Sequence, residues 1–181
     1  MPRLRAAHSL LLMIDWQARL LPALPYGQEA LKVSCRLAKG AGLMTVPVLV
    51  TEHCADKLGT TNSVLLDALT DPAILPKASF SALSDAGLRE ALTDRGRKQI
   101  VVSGAETHVC VMQTVLDLLD EGWSVYVVRD AVASRHTRDY KAALERMQQS
   151  GAVIVTSEMV LFEWQARADT GTMRAMLELV R

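Results

Sequence analysis

The stretch VVSGAETHVCVMQTVLDLLDEG, residues 101–122, constrains the fold more than any other part of the chain. The β-branched run from Ile100 to Val102 reads as a buried parallel strand. It breaks at Ser103-Gly104, and a long apolar helical pattern follows and stops at Gly122. Cys110 falls in the first turn of that helix, where free backbone N–H groups and the positive end of the dipole favour a thiolate. A strand and turn that set a cysteine at a helix N-terminus are a common way to build a nucleophile.

The rest of the chain continues the alternation. Ser9 to Ile14 is an apolar run that reads as a buried strand ending at Asp15. A helical pattern runs from Gln28 to Lys39, with Gly40 and Gly42 as its stop. Met44 to Thr51 reads as a second strand, although Pro47 inside it cannot donate to a ladder. A polar loop at 52–62 and a short helix at 63–69 lead to a weaker extended run at 73–75 and a loop at 76–81. Ser84 is a candidate N-cap for a helix closed by Gly96. Beyond the cysteine helix, Val125 to Val128 is a strand closing at Arg129-Asp130, and Thr137 caps a helix over 138–150. Ala152 to Val155 is the last strand, followed by a helix from Ser157 to about Ala168 and another from Thr172 to Val180. The pattern predicts a three-layer α/β/α fold, with a doubly wound, Rossmann-like and mostly parallel sheet of about six strands. Residues 1–181 read as one domain, with no internal repeat or linker.

Composition narrows the function classes. Half the residues are hydrophobic but only 4% are aromatic, so the core must be aliphatic. Twenty basic residues balance twenty acidic ones, and no basic run points to nucleic acid or an anionic membrane. The apolar run near the N-terminus ends on Asp15, too short for a signal peptide, and no stretch approaches the ~18 continuous apolar residues of a membrane span. Three cysteines with no CxxC pair read as free thiols, and the default compartment is cytoplasmic.

Ligands of open α/β sheets bind beyond the carboxyl ends of the strands. The polar residues there are Asp15, Glu52-His53, Lys77, residues 104–110 and Asp130. An acid, a lysine and a cysteine meeting at one sheet edge would make a nucleophilic site: Asp15 accepts the thiol proton, Lys77 stabilises negative charge, and Cys110 attacks. Each also has a plainer reading. Asp15 could cap a turn, Lys77 could lie on the surface, and Cys110 could be a small buried hydrophobe. Residue types alone leave both open.

The sequence resembles the isochorismatase-like cysteine hydrolases. The resemblance runs from LLLMIDWQ (10–17) through LPKASFSAL (75–83) and the cysteine stretch to VYVVRDAVASR (125–135) and ALERMQQSGAVIVTSEMVLFE (143–163). The later segments look most like the branch of isochorismatase domain-containing proteins. What the resemblance implies is an Asp15, Lys77 and Cys110 triad and a non-prolyl cis peptide at Ala105-Glu106. The Glu106 and Cys110 N–H groups would then form an oxyanion hole. Metal-dependent nicotinamidases of the family carry an Asp-x-His-x-x-His cluster, whereas this chain reads TEHCADKLGTT with only His53, so no metal and no cofactor are expected. Isochorismatase chemistry needs no thiol, and keeping Cys110 favours covalent acyl chemistry.

The expected function is therefore metal-independent hydrolysis of a C–N bond in a small amide through a Cys110 thioester. The alternatives are a non-catalytic oligomeric binding or scaffold protein, or a zinc-dependent nicotinamidase-type or isochorismatase-type hydrolase. Trp16, Gln17, His53, Phe80 and Thr107 are candidate substrate contacts, with His53 the best polar one; an aromatic beside such a loop is core packing about as often. A homo-oligomer is expected from the family. Val160, Leu161 and Trp164 form an apolar helix face that either covers the sheet or meets another subunit.

Overall fold

The computed structural model describes residues 2–181. Six strands form one sheet in the order β3-β2-β1-β4-β5-β6, and every neighbouring pair is parallel. They are β1 (Ser9–Ile14), β2 (Val48–His53), β3 (Ala73–Lys77), β4 (Gln99–Ala105), β5 (Ser124–Ala133) and β6 (Val153–Val155). The helices are α1 (Gly27–Leu43), α2 (Ala55–Leu58), α3 (Ser63–Leu66), α4 (Ala86–Arg95), α5 (Met112–Asp120), α6 (Thr137–Gln149), α7 (Ser157–Gln165) and α8 (Met173–Val180).

Parallel strands covered on both faces must be apolar at consecutive positions, and β1 is buried at all six. Its alternate residues then serve two cores. Leu11 and Met13 join Val50, Val101 and Val128 against α1, α7 and α8. Leu10, Leu12 and Ile14 join Leu49, Ile100 and Val127 against α4, α5 and α6.

Several boundaries differ from the sequence expectation, each for a packing reason. Gly40 and Gly42 do not stop α1, which runs on to Leu43. A Cβ at Gly40 would lie 2.1 Å from Leu161 Cδ2, so this glycine lets α7 press against α1. The second strand begins only after Pro47, at Val48. Strand β4 passes through Ser103-Gly104 instead of breaking there, because β1 pairs alongside: Met13 with Ser103 and Ile14 with Gly104. A Cβ at Gly104 would sit 2.5 Å from the Ile14 carbonyl oxygen, so only glycine permits this approach. Strand β5 likewise continues past Arg129-Asp130 to Ala133, paired with Ala105.

Smaller shifts follow the caps. Asp85 rather than Ser84 takes the N-cap position of α4, and His136 takes that of α6, leaving Thr137 as its first residue. The cysteine helix opens with a π-helical turn, Thr107–Val111, which carries Cys110 and runs directly into α5. The apolar face of α7 is turned inward. Val160, Leu161 and Trp164 are buried, and the Trp164 indole N–H donates to Ser9 Oγ at 2.9 Å, so this face covers the sheet.

Candidate active site

The strand order reverses between β1 and β4, and the crevice outside their carboxyl ends is where such sheets bind ligands. Asp15 leaves β1 there, while Glu106 and the turn carrying Cys110 leave β4. Asp15 keeps its N–H on the Thr51 carbonyl at 3.1 Å, and then turns away at φ 53°. Aspartate is among the few residues that tolerate that left-handed conformation.

Lys77 ends the edge strand β3, opposite His53 of β2, rather than lying in a loop. From there its Nζ reaches 2.7 Å from Asp15 Oδ2, and the two side chains are only 2% and 1% exposed. The rest of each group is engaged as well. Thr51 Oγ1 donates to Asp15 Oδ1 at 2.7 Å, and Lys77 Nζ donates to the Ser79 and Phe80 carbonyls at 3.1 and 3.3 Å. A buried ion pair survives only with such supporting hydrogen bonds.

Asp15 and the Cys110 thiol share a cavity of about 210 Å³. His53 and Glu106 are its other polar walls; Leu20, Leu58, Phe80 and Val109 are the apolar ones. A larger cavity, about 330 Å³, lies elsewhere, between Tyr26, Arg129, Ser134 and Tyr140, and contains no thiol. The smaller one holds the reactive groups. Burial pushes the Cys110 thiol up to about 12, with the Asp15 charge adding to the rise and the Lys77 charge offsetting it only in part. Burial and the neighbouring carboxylate thus disfavour the thiolate and work against the helix N-terminus.

His53 faces the same cavity, its ring centroid 5.5 Å from that of Phe80. Burial and the Lys77 charge lower its pKa, and its Nδ1 has no hydrogen-bond partner among the described residues. The peptide between Ala105 and Glu106 is cis. No acceptor among the described residues takes the Glu106 N–H. The Glu106 carboxylate accepts from Arg135 through its Oε1, at 2.8 Å from Nε and 3.2 Å from the backbone N.

Asp15, Lys77, Cys110, His53, Phe80 and Glu106 therefore converge, and three other candidates do not reach the cavity. Trp16 is packed in the core with its indole N–H donating to Ser103 Oγ at 3.3 Å. Gln17 braces the end of β2: its Nε2 donates to the His53 carbonyl at 3.0 Å and its Oε1 accepts the His53 N–H at 2.8 Å. Thr107 is wholly buried, and its hydroxyl has no partner among the described residues. Thr51 and Arg135 also belong to the site, through Asp15 and Glu106. Thr51 carried a usable signal, a polar residue closing an apolar strand run, whereas Arg135 carried none.

Nearby, the Glu52 carboxylate is taken by the Thr61 N–H and hydroxyl, both at 2.7 Å. Among the described residues no three His, Cys, Asp or Glu side chains are grouped to hold a metal ion. No helix among them is long and apolar enough to cross a membrane.

The comparisons with known proteins bear on the family and the fold. Isochorismatase domain-containing protein 1 of Danio rerio is 38% identical over 161 residues, 88% of this chain and 56% of that protein, so the chain spans about half the relative's length. The solved structure of the MAR1 ribonuclease from Caenorhabditis elegans superposes with a TM-score of 0.93 at 31% identity, over 99% of this chain and 92% of that one. YcaC from Pseudomonas aeruginosa, solved with hexane-2,5-diol and covalent acrylamide, gives 0.90 at 26% identity, over 98% and 91%. Residues 9–159 match the model of the isochorismatase domain, and the chain belongs to the isochorismatase family, with its hydrolase fold.

Proposed function

We propose that this chain is a metal-independent cysteine hydrolase that cleaves the C–N bond of a small amide. The observation that carries the reading is the Cys110 thiol facing a small cavity beside the buried Asp15–Lys77 pair. A thiol with a pKa of about 12 is a poor nucleophile if its proton must go to water. Passing that proton to Asp15 is a different event. The negative charge moves from carboxylate to sulfur beside Lys77, and the sum of charges stays the same.

The reaction then runs in two halves. The Cys110 proton passes to Asp15 as the S–C bond forms, and the oxyanion is met by the Glu106 and Cys110 N–H groups. The C–N bond breaks as Asp15 returns the proton to the leaving amine. Asp15 next takes a proton from the water that attacks the thioester and passes it to sulfur as the S–C bond breaks, which releases the acid and restores the thiol and the carboxylate. The covalent acrylamide of the P. aeruginosa relative supports the reading in a general way, since a protein of this fold there holds a small amide covalently. The ribonuclease name of the C. elegans relative fits less well, since both cations here, Lys77 and Arg135, are already paired with carboxylates.

Ammonia release from a panel of small primary amides tests the reading, with mass spectrometry of the trapped thioester. Cys110→Ala should lower turnover by at least about 10³-fold while leaving the thermal midpoint within a few degrees. Full activity in that variant rules out the covalent route. The chain is further proposed to form a homo-oligomer through exposed apolar side chains such as Tyr26, Val64 and Met159. A monomer mass by light scattering would overturn that.

A further inference from the structure

We propose that Glu106, held by Arg135, is a specificity-determining residue that selects an uncharged substrate presenting an N–H donor and turns anions away. The inference deepens the hydrolase reading and rests on it for placing the substrate beside Cys110. Glu106 is 8% exposed and lines the cavity next to the thiol. Burying a carboxylate there costs free energy unless its oxygens are used. Only one of them is used within the fold, since Arg135 engages Oε1 through both its backbone and its side chain. Oε2 accepts nothing from the described residues, and it is not among the atoms sealed from solvent. It is a free acceptor on a residue that lines the thiol site.

The charges around the cavity are closed in pairs. Lys77 lies 2.7 Å from Asp15, and Arg135 lies 2.8 Å from Glu106. Burial and Lys77 lower the pKa of His53 and so disfavour its cationic form. An anionic substrate would find no unpaired cation at these walls and would meet the free oxygen of Glu106. A fixed cation would compete with Arg135 for the same carboxylate. An amide or urea-type N–H disturbs neither pair, and Leu20, Leu58 and Phe80 leave the remaining volume to a small apolar body.

Three alkylating probes test this on the full chain without a known substrate: iodoacetamide, iodoacetate of nearly the same size, and 2-iodo-N,N-dimethylacetamide, whose two extra methyl groups are controlled by the same comparison in Glu106→Leu. In each case the S–C bond forms, iodide leaves, and the thiol proton passes to solvent. Labelling is read by mass on the Cys110 peptide, which separates it from Cys35 and Cys54. Rates are referred to those of free cysteine. Iodoacetamide should exceed iodoacetate by at least about tenfold, from repulsion at Glu106. It should exceed the dimethyl analogue by about tenfold as well, from the hydrogen bond to a charged acceptor.

Glu106→Leu should bring both ratios to within about twofold of free cysteine. Arg135→Ala should keep the dimethyl ratio and sharpen the exclusion of iodoacetate. Should the leucine variant fail to fold, the wild-type and Arg135→Ala ratios decide alone, because the Arg135 side chain is 54% exposed and its loss leaves the core intact. Free-cysteine ratios in the wild type, or selectivity that persists in a folded Glu106→Leu, overturn the inference. Selectivity without amide turnover removes the hydrolase reading and keeps this one; amide turnover without selectivity does the reverse.

Discussion

Two carboxylate–cation pairs flank the same thiol, and they are built differently. Asp15 and Lys77 sit 2.7 Å apart with side chains 1% and 2% exposed. Glu106 and Arg135 sit 2.8 Å apart, but the arginine is 54% exposed. Equal distances do not mean equal roles. The first pair has no access to bulk water, so its geometry is set by Thr51 and the carbonyls of Ser79 and Phe80. The second opens to solvent on one side, where screening weakens it and its cation can be lost at little cost. A buried pair suits a proton transfer that must repeat in one geometry; a half-exposed pair suits reading a substrate.

Breaking the buried pair should have the largest effect. Lys77→Met leaves the Asp15 carboxylate buried and uncompensated, and should cost about 3–5 kcal/mol in urea denaturation. The double variant Asp15→Leu, Lys77→Met should recover most of that loss and remain inactive, because no buried charge is then unpaired. Asp15→Asn separates acidity from catalysis. Asp15 raises the Cys110 pKa, so the variant's thiol should alkylate faster at pH 8, while turnover falls by about 10²–10⁴-fold for want of the proton acceptor.

The pH dependence of stability gives a smaller effect of known sign. The Cys110 pKa is raised from 9.0 to about 12, so the folded chain holds the proton more tightly than the unfolded one. Its stabilising contribution is complete below pH 9.0 and is lost as pH rises toward 12; Cys110→Ala should flatten that limb of the denaturation profile. His53 acts oppositely. Its pKa is lowered from 6.5, so its contribution is present above pH 6.5 and shrinks as pH falls below it. The smallest effect belongs to Arg135→Ala, which should change stability by less than about 1 kcal/mol. A loss as large as that of Lys77→Met would show the two pairs to be equivalent after all.

Much of the fold was legible because parallel strands buried on both faces leave long apolar runs. Leu10–Ile14 and Ile100–Val102 carry that mark, and the alternation with helices then follows. Strand ends were legible only where a local signal agreed with the packing. Ser103-Gly104 looks like a break by composition, yet β1 lies so close that a glycine is required in mid-strand. Arg129-Asp130 looks like a strand end, yet β5 goes on, and Asp130 instead accepts from the Ser157 N–H and hydroxyl. Trp16 and Gln17 looked like site residues because they follow Asp15, but a sharp turn at Asp15 sends their side chains into the core and onto the end of β2.

The sequence by itself determined the alternation, the two-faced strands and the placing of Asp15 just after a strand, since these depend on each residue and its chain neighbours. Only the tertiary structure decided that burial and Asp15 raise the thiol pKa, that Trp16 and Gln17 face away, and that Glu106 meets Arg135 from 29 positions along the chain. Burial and Coulomb interactions act through space, and a distance of 2.8 Å between residues so far apart has no signature in either local stretch.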